Sequence, residues 1–333
     1  MNNQVATYPK CLICSGQFSH FTSFHDVLFG LVKNNFDIYK CSGCKLLKIL
    51  PEPSLEDIKS FYPEHYYSHQ NAESSKEYKS FIWHFYNKLQ VAILERHYKK
   101  KSSTGFFFRK LSWFFKNSLL CVPLEKPKHG GLLLDIGSGS GHWIEELSKY
   151  DWNCKGIDII GKKSENNIIG DFLKMPFEKQ FEFIRIHGVI EHVKDPDKYI
   201  KKISQLLEKN GEFHISTPNS SCLSSKIFKK YWIGLEIPRH LQVFNKQNLS
   251  QLLKKNGLEV IKTTSELSSS SILACIYIFL KYKLKIPIFT GSIGTSSANS
   301  TLFFFLTIIL LPLDYLLQWL NQSANMVIVA RKK

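Results

Sequence analysis

The sequence lacks the long apolar segments that mark exported or membrane-spanning chains. Residues 1–10 contain no apolar run, so no signal peptide is expected. Residues 272–280 form an apolar stretch too short to cross a bilayer, and residues 302–320 are interrupted by Pro312 and Asp314. We also find no internal repeat and no long low-complexity tract. These absences favour a globular protein in the cytoplasm, which could rest on the inner face of a membrane.

Acidic residues are scarce relative to basic ones. The chain has 28 Asp and Glu against 44 Lys and Arg, which gives a formal net charge of +16. This balance favours anionic partners such as nucleotide-sugars, phospholipid surfaces or nucleic acid, although a lysine-rich solvated surface would produce the same composition. A hydrophobic content of 44% supports a packed core rather than disorder.

Half of the eight cysteines form two C-x-x-C pairs near the N terminus. Cys11 and Cys14 are separated from Cys41 and Cys44 by twenty-six residues, and the other cysteines occur singly. Two such pairs are typical of a closed tetrahedral zinc site, whose four sulfur ligands leave no position for catalysis. We therefore predict a structural zinc ion. Four reduced thiols without a metal are the alternative.

An apolar strand runs into a glycine-rich turn and an amphipathic helix at residues 132–143. This arrangement binds nucleotide-type cofactors, because glycines allow the backbone to approach the ligand closely. The turn contains Gly137, Gly139 and Gly141, so the third glycine comes one residue too early for a dinucleotide fingerprint. The carboxylate of Asp135 would repel a pyrophosphate, whereas it would attract a cofactor that carries an ammonium and a sulfonium.

This segment resembles motif I of the class I S-adenosylmethionine-dependent methyltransferases. The resemblance implies an α/β fold with a Rossmann-like seven-stranded sheet, an antiparallel last strand and S-adenosylmethionine as cofactor. Asp158, nineteen residues after Gly139, is placed to accept hydrogen bonds from both ribose hydroxyls. The resemblance also places Asp171 and Phe172 beside the adenine. The predicted cofactor residues are Asp135, Gly137, Ser138, Gly139, Gly141, Asp158, Asp171, Phe172 and His187.

Candidate catalytic residues follow the predicted fourth strand. Ligands of such sheets bind beyond the carboxyl ends of the strands, so His187, Glu191 and His192 should face the methyl group. His192 is the first choice for a general base, followed by His187 and His240, and Glu191 would orient an imidazole or bind a hydroxyl. The histidines could instead only line the pocket, because holding the acceptor close to the methyl group supplies much of such catalysis.

The segment Pro238-Arg239-His240-Leu241 resembles a substrate-side motif of methyltransferases that carry an N-terminal zinc-binding segment. Arg239 is expected to hold an anionic group through two parallel hydrogen bonds, with a loop-ordering salt bridge as the alternative. His240, Tyr66 and Tyr67 complete the predicted substrate contacts, although the tyrosines could simply pack.

Five segments are predicted. They are a zinc-ribbon-like segment (1–70), a helical, aromatic and basic connecting region (71–130), the cofactor-binding core (131–265), an apolar helical insertion (266–324) and a final strand with a basic tail (325–333). The insertion, and the aromatic and basic residues 106–116, suit peripheral contact with an anionic membrane. A docked helix or a homodimer interface would also explain them.

The sequence thus predicts a methyltransferase that acts on a small hydroxylated metabolite, in particular a nucleotide-linked or lipid-linked sugar. An isoprenoid or quinone-type lipid is the alternative acceptor, and a non-catalytic zinc-ribbon interaction protein on a methyltransferase scaffold is the alternative function. Nucleic acid is disfavoured as a partner. Neither an Asn/Asp-Pro-Pro-aromatic motif nor a Pro-Cys nucleophile follows the predicted fourth strand.

Overall fold

Two β-sheets organise the chain. The computed structural model describes residues 8–63, 81–101, 103–115, 122, 127, 130–161, 163–286 and 301–333. The N-terminal elements are β1 (Phe18–Phe24), β2 (Phe36–Cys41), β3 (Leu47–Ile49), α1 (Leu55–Ser60), α2 (Phe81–His97) and α3 (Phe106–Phe114).

The central elements alternate between strands and helices. They are β4 (Leu132–Ile136), α4 (His142–Ser148), β5 (Asn153–Asp158), β6 (Asn167–Ile169), β7 (Phe181–His187), α5 (Pro196–Leu206), β8 (Leu207–Pro218) and α6 (Leu223–Phe228). The C-terminal elements are β9 (Gln242–Val243), α7 (Lys246–Lys255), β10 (Leu258–Glu266), α8 (Ser269–Tyr282), α9 (Thr301–Trp319) and β11 (Asn325–Lys332).

The larger sheet has seven strands in the order β10-β11-β8-β7-β4-β5-β6. Strands β4, β5, β6, β7 and β8 are parallel to their neighbours in this group, and β11 pairs antiparallel with both β8 and β10. The predicted sheet with an antiparallel last strand is therefore confirmed. Leu133, Leu134 and Ile184 are fully buried, as expected for parallel strands covered on both faces.

Helix α5 shows how local sequence orients the core. The Asp195 side chain caps it by accepting a hydrogen bond from the backbone N–H of Lys198, and Pro196 occupies the first turn. Tyr199, Ile200 and Ile203 then recur at helical spacing and are buried in the core beside the sheet. The loop before this helix consequently starts at the carboxyl edge of β7.

The smaller sheet joins the N-terminal segment to the core. Its order is β1-β2-β3-β9, so a strand that follows the Pro-Arg-His-Leu segment closes the sheet of the zinc-ribbon-like segment. Side-chain amides of Asn245 and Asn248, at the start of α7, both donate to the backbone oxygen of Cys44, at 3.1 and 3.2 Å. The predicted metal site is thereby attached directly to the core.

The predicted apolar insertion consists of α8 and α9, between β10 and β11. The Asp314 carboxylate accepts hydrogen bonds from the Ser268 backbone and the Ser269 hydroxyl at the start of α8, and burial raises its pKa. The Gln318 amide donates to the Ser265 backbone oxygen at 3.1 Å. The polar residues that interrupt the apolar run therefore face the protein. Among the described residues, no helix is both long enough and apolar enough to span a bilayer.

Candidate functional site

The glycine-rich loop lies at the carboxyl edge of β4. Gly137, Gly139 and Gly141 have φ angles of +79°, +52° and +82°, a region that favours glycine. A Cβ atom at Gly137 would lie only 2.2 Å from Cγ2 of Val189, so the loop packs against the segment that follows β7. The loop therefore needs glycine both for its conformation and for its close approach to that segment.

Asp158, at the end of β5, is held beside this loop. Its carboxylate accepts a hydrogen bond from the Gly139 backbone N–H at 2.7 Å and another from the Ile160 backbone N–H at 3.1 Å. Each carboxylate oxygen keeps a further lone pair, so the pair of oxygens can still accept from a vicinal diol. The structure thus brings the predicted ribose ligand and the predicted loop together.

Asn167 fixes the same loop from β6, a contact that sequence reasoning missed. The Ser138 hydroxyl donates to the Asn167 side-chain oxygen at 2.6 Å, and the Asn167 amide donates to the Gly139 backbone oxygen at 3.2 Å. Ser138 therefore orders the loop through Asn167. No local pattern marks Asn167, which lies 28 residues beyond Gly139.

Asp135 faces an ion-pair partner inside the protein. Its carboxylate lies 3.1 Å from Nε of Arg185, and both side chains are buried. Burial raises the pKa of Asp135, while the nearby Arg185 charge opposes that rise. Arg185 also lies over the ring of Trp143, at 5.0 Å from its centroid. The negative charge of Asp135 is therefore balanced by Arg185, a residue of β7.

The predicted adenine residues have different surroundings. Asp171 is half-buried, and its side chain accepts from the Leu173 backbone N–H at 2.9 Å. Phe172 is only 2% exposed, and its ring packs against Tyr199 and Phe177 in the core. Contact between Phe172 and a bound base would therefore have to come from its backbone rather than its ring.

Glu191 lies in a buried polar cluster just after β7. It is 2% exposed and accepts a hydrogen bond from the Thr217 hydroxyl at 2.9 Å. Burial raises the pKa of Glu191 to about 7. One ligand-type atom from each of Glu191, His192 and His240 lies within 4.8 Å of the others, a spacing that a metal ion could also occupy.

His192 is the first-choice base of the sequence prediction, but its surroundings weaken it. Its Nδ1 lies 3.0 Å from the Arg239 backbone oxygen, which can only accept, so Nδ1 carries the proton. Burial lowers the pKa of His192 to about 3 and that of His240 to about 4. The two rings touch edge to face, with centroids 4.6 Å apart. At neutral pH both imidazoles are uncharged and bind protons poorly.

His187 differs from both of these histidines. It ends β7, its side chain is 45% exposed, and its Nε2 lies 3.3 Å from a carboxylate oxygen of Glu266. Glu266 was not identified from the sequence, because it ends a strand 79 residues away. The structure therefore places one candidate histidine at the open edge of the sheet with a carboxylate partner.

The predicted anion-binding role of Arg239 is wrong. Arg239 is 1% exposed, and its guanidinium donates to Asp26 at 2.8 Å, to Glu236 at 3.1 Å and to the Phe61 backbone oxygen at 3.0 Å. Because its donors are satisfied inside the protein, Arg239 orders the loop through salt bridges, which was the alternative interpretation. It also connects the N-terminal segment to the core.

His240 is likewise packed inside the protein, where its Nδ1 lies 2.9 Å from the Gly234 backbone oxygen. With only 6% of its surface exposed, it does not present a surface to solvent. Tyr66 and Tyr67, the other predicted substrate contacts, lie outside the described residues. Tyr62 is described, and its hydroxyl lies 3.2 Å from Nδ1 of His192.

The four predicted metal ligands come together. One sulfur from each of Cys11, Cys14, Cys41 and Cys44 lies within 4.8 Å of the others, and none of the four forms a disulfide. A Cβ atom at Gly16 would lie 2.9 Å from the Cys41 sulfur, so glycine leaves room for the cluster. Four convergent thiols fit the donor set of a tetrahedral zinc ion.

Comparison with known proteins gives one family match. Residues 114–263 match the family described as a methyltransferase domain. The chain is 30% identical over 158 residues to the ubiquinone biosynthesis O-methyltransferase of Pelagibacter ubique, across 41% of this chain and 65% of that protein. It is 26% identical over 161 residues to the mitochondrial enzyme of the same name from Bos taurus, across 40% of this chain and 43% of that protein. The chain thus spans less than two thirds of these relatives.

Solved structures show more distant likenesses. The mycolic acid cyclopropane synthase CmaA1 aligns with a TM-score of 0.41 and 16% identity, over 68% of this chain and 85% of that one. Phosphoethanolamine N-methyltransferase 2 of Haemonchus contortus aligns with a TM-score of 0.40 and 18% identity, over 66% of this chain and 55% of that one.

The Asp26–Arg239 pair generates a stability prediction. Asp26→Ala leaves the Arg239 charge buried without its main partner, so we expect the free energy of unfolding to fall by about 3–5 kcal/mol. Urea unfolding followed by circular dichroism measures this change. Lys198→Ala is the control, because it removes an exposed ion pair with Asp195 that solvent already screens. Equal stability of the Asp26→Ala variant and the unsubstituted protein would contradict the assignment.

Proposed function

We propose that the chain, whose residues 114–263 match a methyltransferase domain and whose glycine loop resembles that of class I S-adenosylmethionine-dependent methyltransferases, methylates a hydroxyl group of an isoprenoid- or quinone-type lipid. One observation carries this proposal. The glycine loop and the base of the apolar insertion lie at the same edge of the seven-stranded sheet, with His187 between them. A cofactor and a lipid acceptor could therefore meet there.

The residues at this edge fit the cofactor. The loop has no room for a side chain at Gly137, Asp158 offers two acceptors for a ribose diol, and Asp171 lies two residues beyond the end of β6. When bound, S-adenosylmethionine supplies an electrophilic methyl group on a sulfonium. The chain's own groups align the acceptor and take up its proton.

The acceptor is argued from two findings. The curated relatives are named as O-methyltransferases of ubiquinone biosynthesis, which supports the quinone-type alternative of the sequence prediction. For an anionic nucleotide-linked sugar, Arg239 was the predicted anion-binding group, and Arg239 is buried in salt bridges. An apolar acceptor with a hydroxyl group requires no such cation.

The insertion offers an apolar surface through which such an acceptor could arrive. Helices α3 and α9 touch where the Tyr315 hydroxyl donates to the Phe114 backbone oxygen. Both helices expose large apolar side chains, which we call the apolar surface: Phe106, Phe107 and Phe114 on α3, and Ile309, Leu313, Leu316, Trp319 and Leu320 on α9 or directly after it. Arg109 and Lys110 are interleaved with the aromatic residues of α3, which suits an anionic lipid surface.

The proposed transfer can be tested with methyl-labelled S-adenosylmethionine and separated lipid, soluble glycan and nucleotide, and RNA fractions of cells. We expect label in the lipid fraction, specifically in molecules that carry a phenolic hydroxyl and an isoprenoid chain. Label confined to the glycan and nucleotide fraction would restore the sugar acceptor. Absence of cofactor binding by calorimetry would instead favour the non-catalytic scaffold.

Gly137→Ala provides the matched test of the cofactor site. A left-handed φ costs an alanine about 1–2 kcal/mol, and its Cβ would overlap Val189, so the loop should leave the conformation that binds the cofactor. Restoring that conformation would then cost binding energy, and cofactor affinity should fall by about tenfold. Gly30→Ala is the control, because Gly30 has a similar φ of +69° but open space around its Cβ position. Calorimetry should show an unchanged cofactor affinity for the control. Equal affinities for the two variants would contradict the assigned site.

The apolar surface predicts binding to anionic membranes. We expect the chain to float with vesicles of phosphatidylglycerol and phosphatidylethanolamine, and the double variant Ile309→Glu/Leu316→Glu to lose most of that binding, since charges are expensive to bury in lipid. Leu55→Glu, at an exposed leucine of α1, should bind as the unsubstituted chain does. A stable dimer in sizing chromatography that the double variant disrupts, without vesicle binding, would identify the surface as a subunit interface instead.

We further propose that the four cysteines hold a structural zinc ion. Four sulfur ligands complete a tetrahedral shell, and the contacts of Asn245 and Asn248 with the Cys44 carbonyl attach that shell to α7. The ion would stabilise the connection between the N-terminal segment and the core.

Metal analysis tests the zinc proposal. We expect one zinc ion per chain, and chelation or Cys41→Ser should lower the unfolding temperature, because metal binding contributes to folding. Cys222→Ser is the matched control: this buried cysteine caps α6, and serine can replace it as a cap. Purified protein without zinc and a melting temperature unaffected by chelation would refute the site.

A further inference from the structure

Three side chains converge at the carboxyl edge from three different strands. His187 ends β7, Ser216 lies near the end of β8, and Glu266 ends β10. Glu266 uses one carboxylate oxygen to contact Nε2 of His187 at 3.3 Å and the other to accept from the Ser216 hydroxyl at 2.9 Å. Asn325 also donates to this carboxylate. The carboxylate is thus oriented by two neutral groups and contacts one imidazole.

Sheet register explains this convergence. His187 pairs with Ser216 between β7 and β8. Two residues further along β8, Pro218 pairs with Asn325, which in turn pairs with Glu266. Because side chains alternate along a strand, Ser216 and Glu266 project from the same face of the sheet. The contact is therefore determined by the pairing of four strands rather than by one flexible side chain.

The contact with Glu266 also determines which imidazole nitrogen of His187 is available to accept a proton. A carboxylate only accepts hydrogen bonds, so Nε2 of His187 carries the proton and Nδ1 keeps the lone pair in the neutral ring. His187 belongs to β7, the neighbour of β4, whose loop forms the proposed cofactor site. Its side chain is 45% exposed, so an acceptor molecule can approach it.

The surrounding charges favour proton uptake. Partial loss of solvation and the Arg185 charge lower the pKa of His187, but Glu266 on β10 and Glu191 beyond β7 raise it, and the net shift is upward. His192 shows the opposite result, since burial lowers its pKa to about 3. Of these two histidines, His187 is the one that binds a proton more readily than an isolated imidazole.

We propose that His187 is the general base of the methyl transfer and that Glu266 is its positioning residue, a role that rests on the proposed function. The acceptor O–H bond breaks and its proton moves to Nδ1 of His187. The oxygen electron pair forms the new bond to the methyl carbon. The carbon–sulfur bond breaks, its electrons return to sulfur, and S-adenosylhomocysteine leaves with a neutral thioether in place of the sulfonium. The proton then passes from His187 to water, while Glu266 balances the imidazolium charge in the interval.

Two variants separate the roles of the pair. The assay uses the full chain, labelled S-adenosylmethionine and a dihydroxybenzene with one isoprenoid unit as the acceptor. His187→Ala should lower kcat by about 100-fold or more, with little change in cofactor affinity. Glu266→Gln keeps a hydrogen-bond acceptor but loses the charge, so kcat should fall about tenfold and the acidic limb of the pH–rate profile should move to lower pH.

Glu212→Gln is the matched control. A carboxylate oxygen of Glu212 lies 3.4 Å from Nε2 of His214, so Glu212 also has a histidine partner. Glu212 precedes Ser216 by four residues on β8 and therefore lies away from the carboxyl edge. Its rate and pH profile should equal those of the unsubstituted chain. An NMR titration of the His187 ring should show a lower pKa in Glu266→Gln and no change in Glu212→Gln.

The outcomes distinguish this inference from the function on which it rests. A kcat of the His187→Ala variant equal to that of the unsubstituted chain would overturn the base assignment alone. A pH–rate profile of Glu266→Gln identical to that of the unsubstituted chain would do the same. Loss of cofactor binding in Glu266→Gln would make Glu266 a merely structural residue and overturn its positioning role. A wild-type chain that transfers no label to any cell fraction would overturn the proposed function together with the inference.

Discussion

The buried ion pair between Arg239 and Asp26 joins two parts of the molecule. Two charges removed from water are stable only as partners, so the N-terminal segment that supplies Asp26 has to stay on the loop that supplies Arg239. Strand β9 lies just beyond Arg239 and closes the smaller sheet, and α7 follows with its contacts to Cys44. The Asp26–Arg239 pair consequently supports three features: the cysteine cluster, the loop after β8, and the cluster of Glu191, His192 and His240.

The structure separates what local sequence can predict from what it cannot. The glycine loop and the cysteine pairs were both predicted, because each depends on residues close together in the chain. Arg239 was misinterpreted because its partner Asp26 lies 213 residues away. Glu266 was missed for a similar reason, since only the order of the strands brings it to His187. Asp314 was recognised as an interruption of the apolar run, but its hydrogen bonds with Ser268 and Ser269 were not predicted.

The candidate histidines illustrate why residue type alone does not identify a base. His187, His192 and His240 have the same side-chain chemistry, but burial depresses the pKa of the last two to about 3 and 4. A carboxylate beside His187 produces the opposite shift. These differences arise from solvation and from neighbours on other strands, which no motif records.

The insertion leaves the sheet directly after Glu266 and returns at Asn325, the two residues that meet at the carboxyl edge. Between them, α8 is constrained because Cys275 and Ile278 are buried in the core, and α9 is constrained where Asp314 and Gln318 dock on the protein. The exposed apolar side chains of α9 have no such contacts to preserve, so they can change without altering the strand order or the glycine loop. Natural variation or a graft could therefore alter this exposed face to recruit a different apolar molecule, while the two junctions keep the chemistry in register with the sheet.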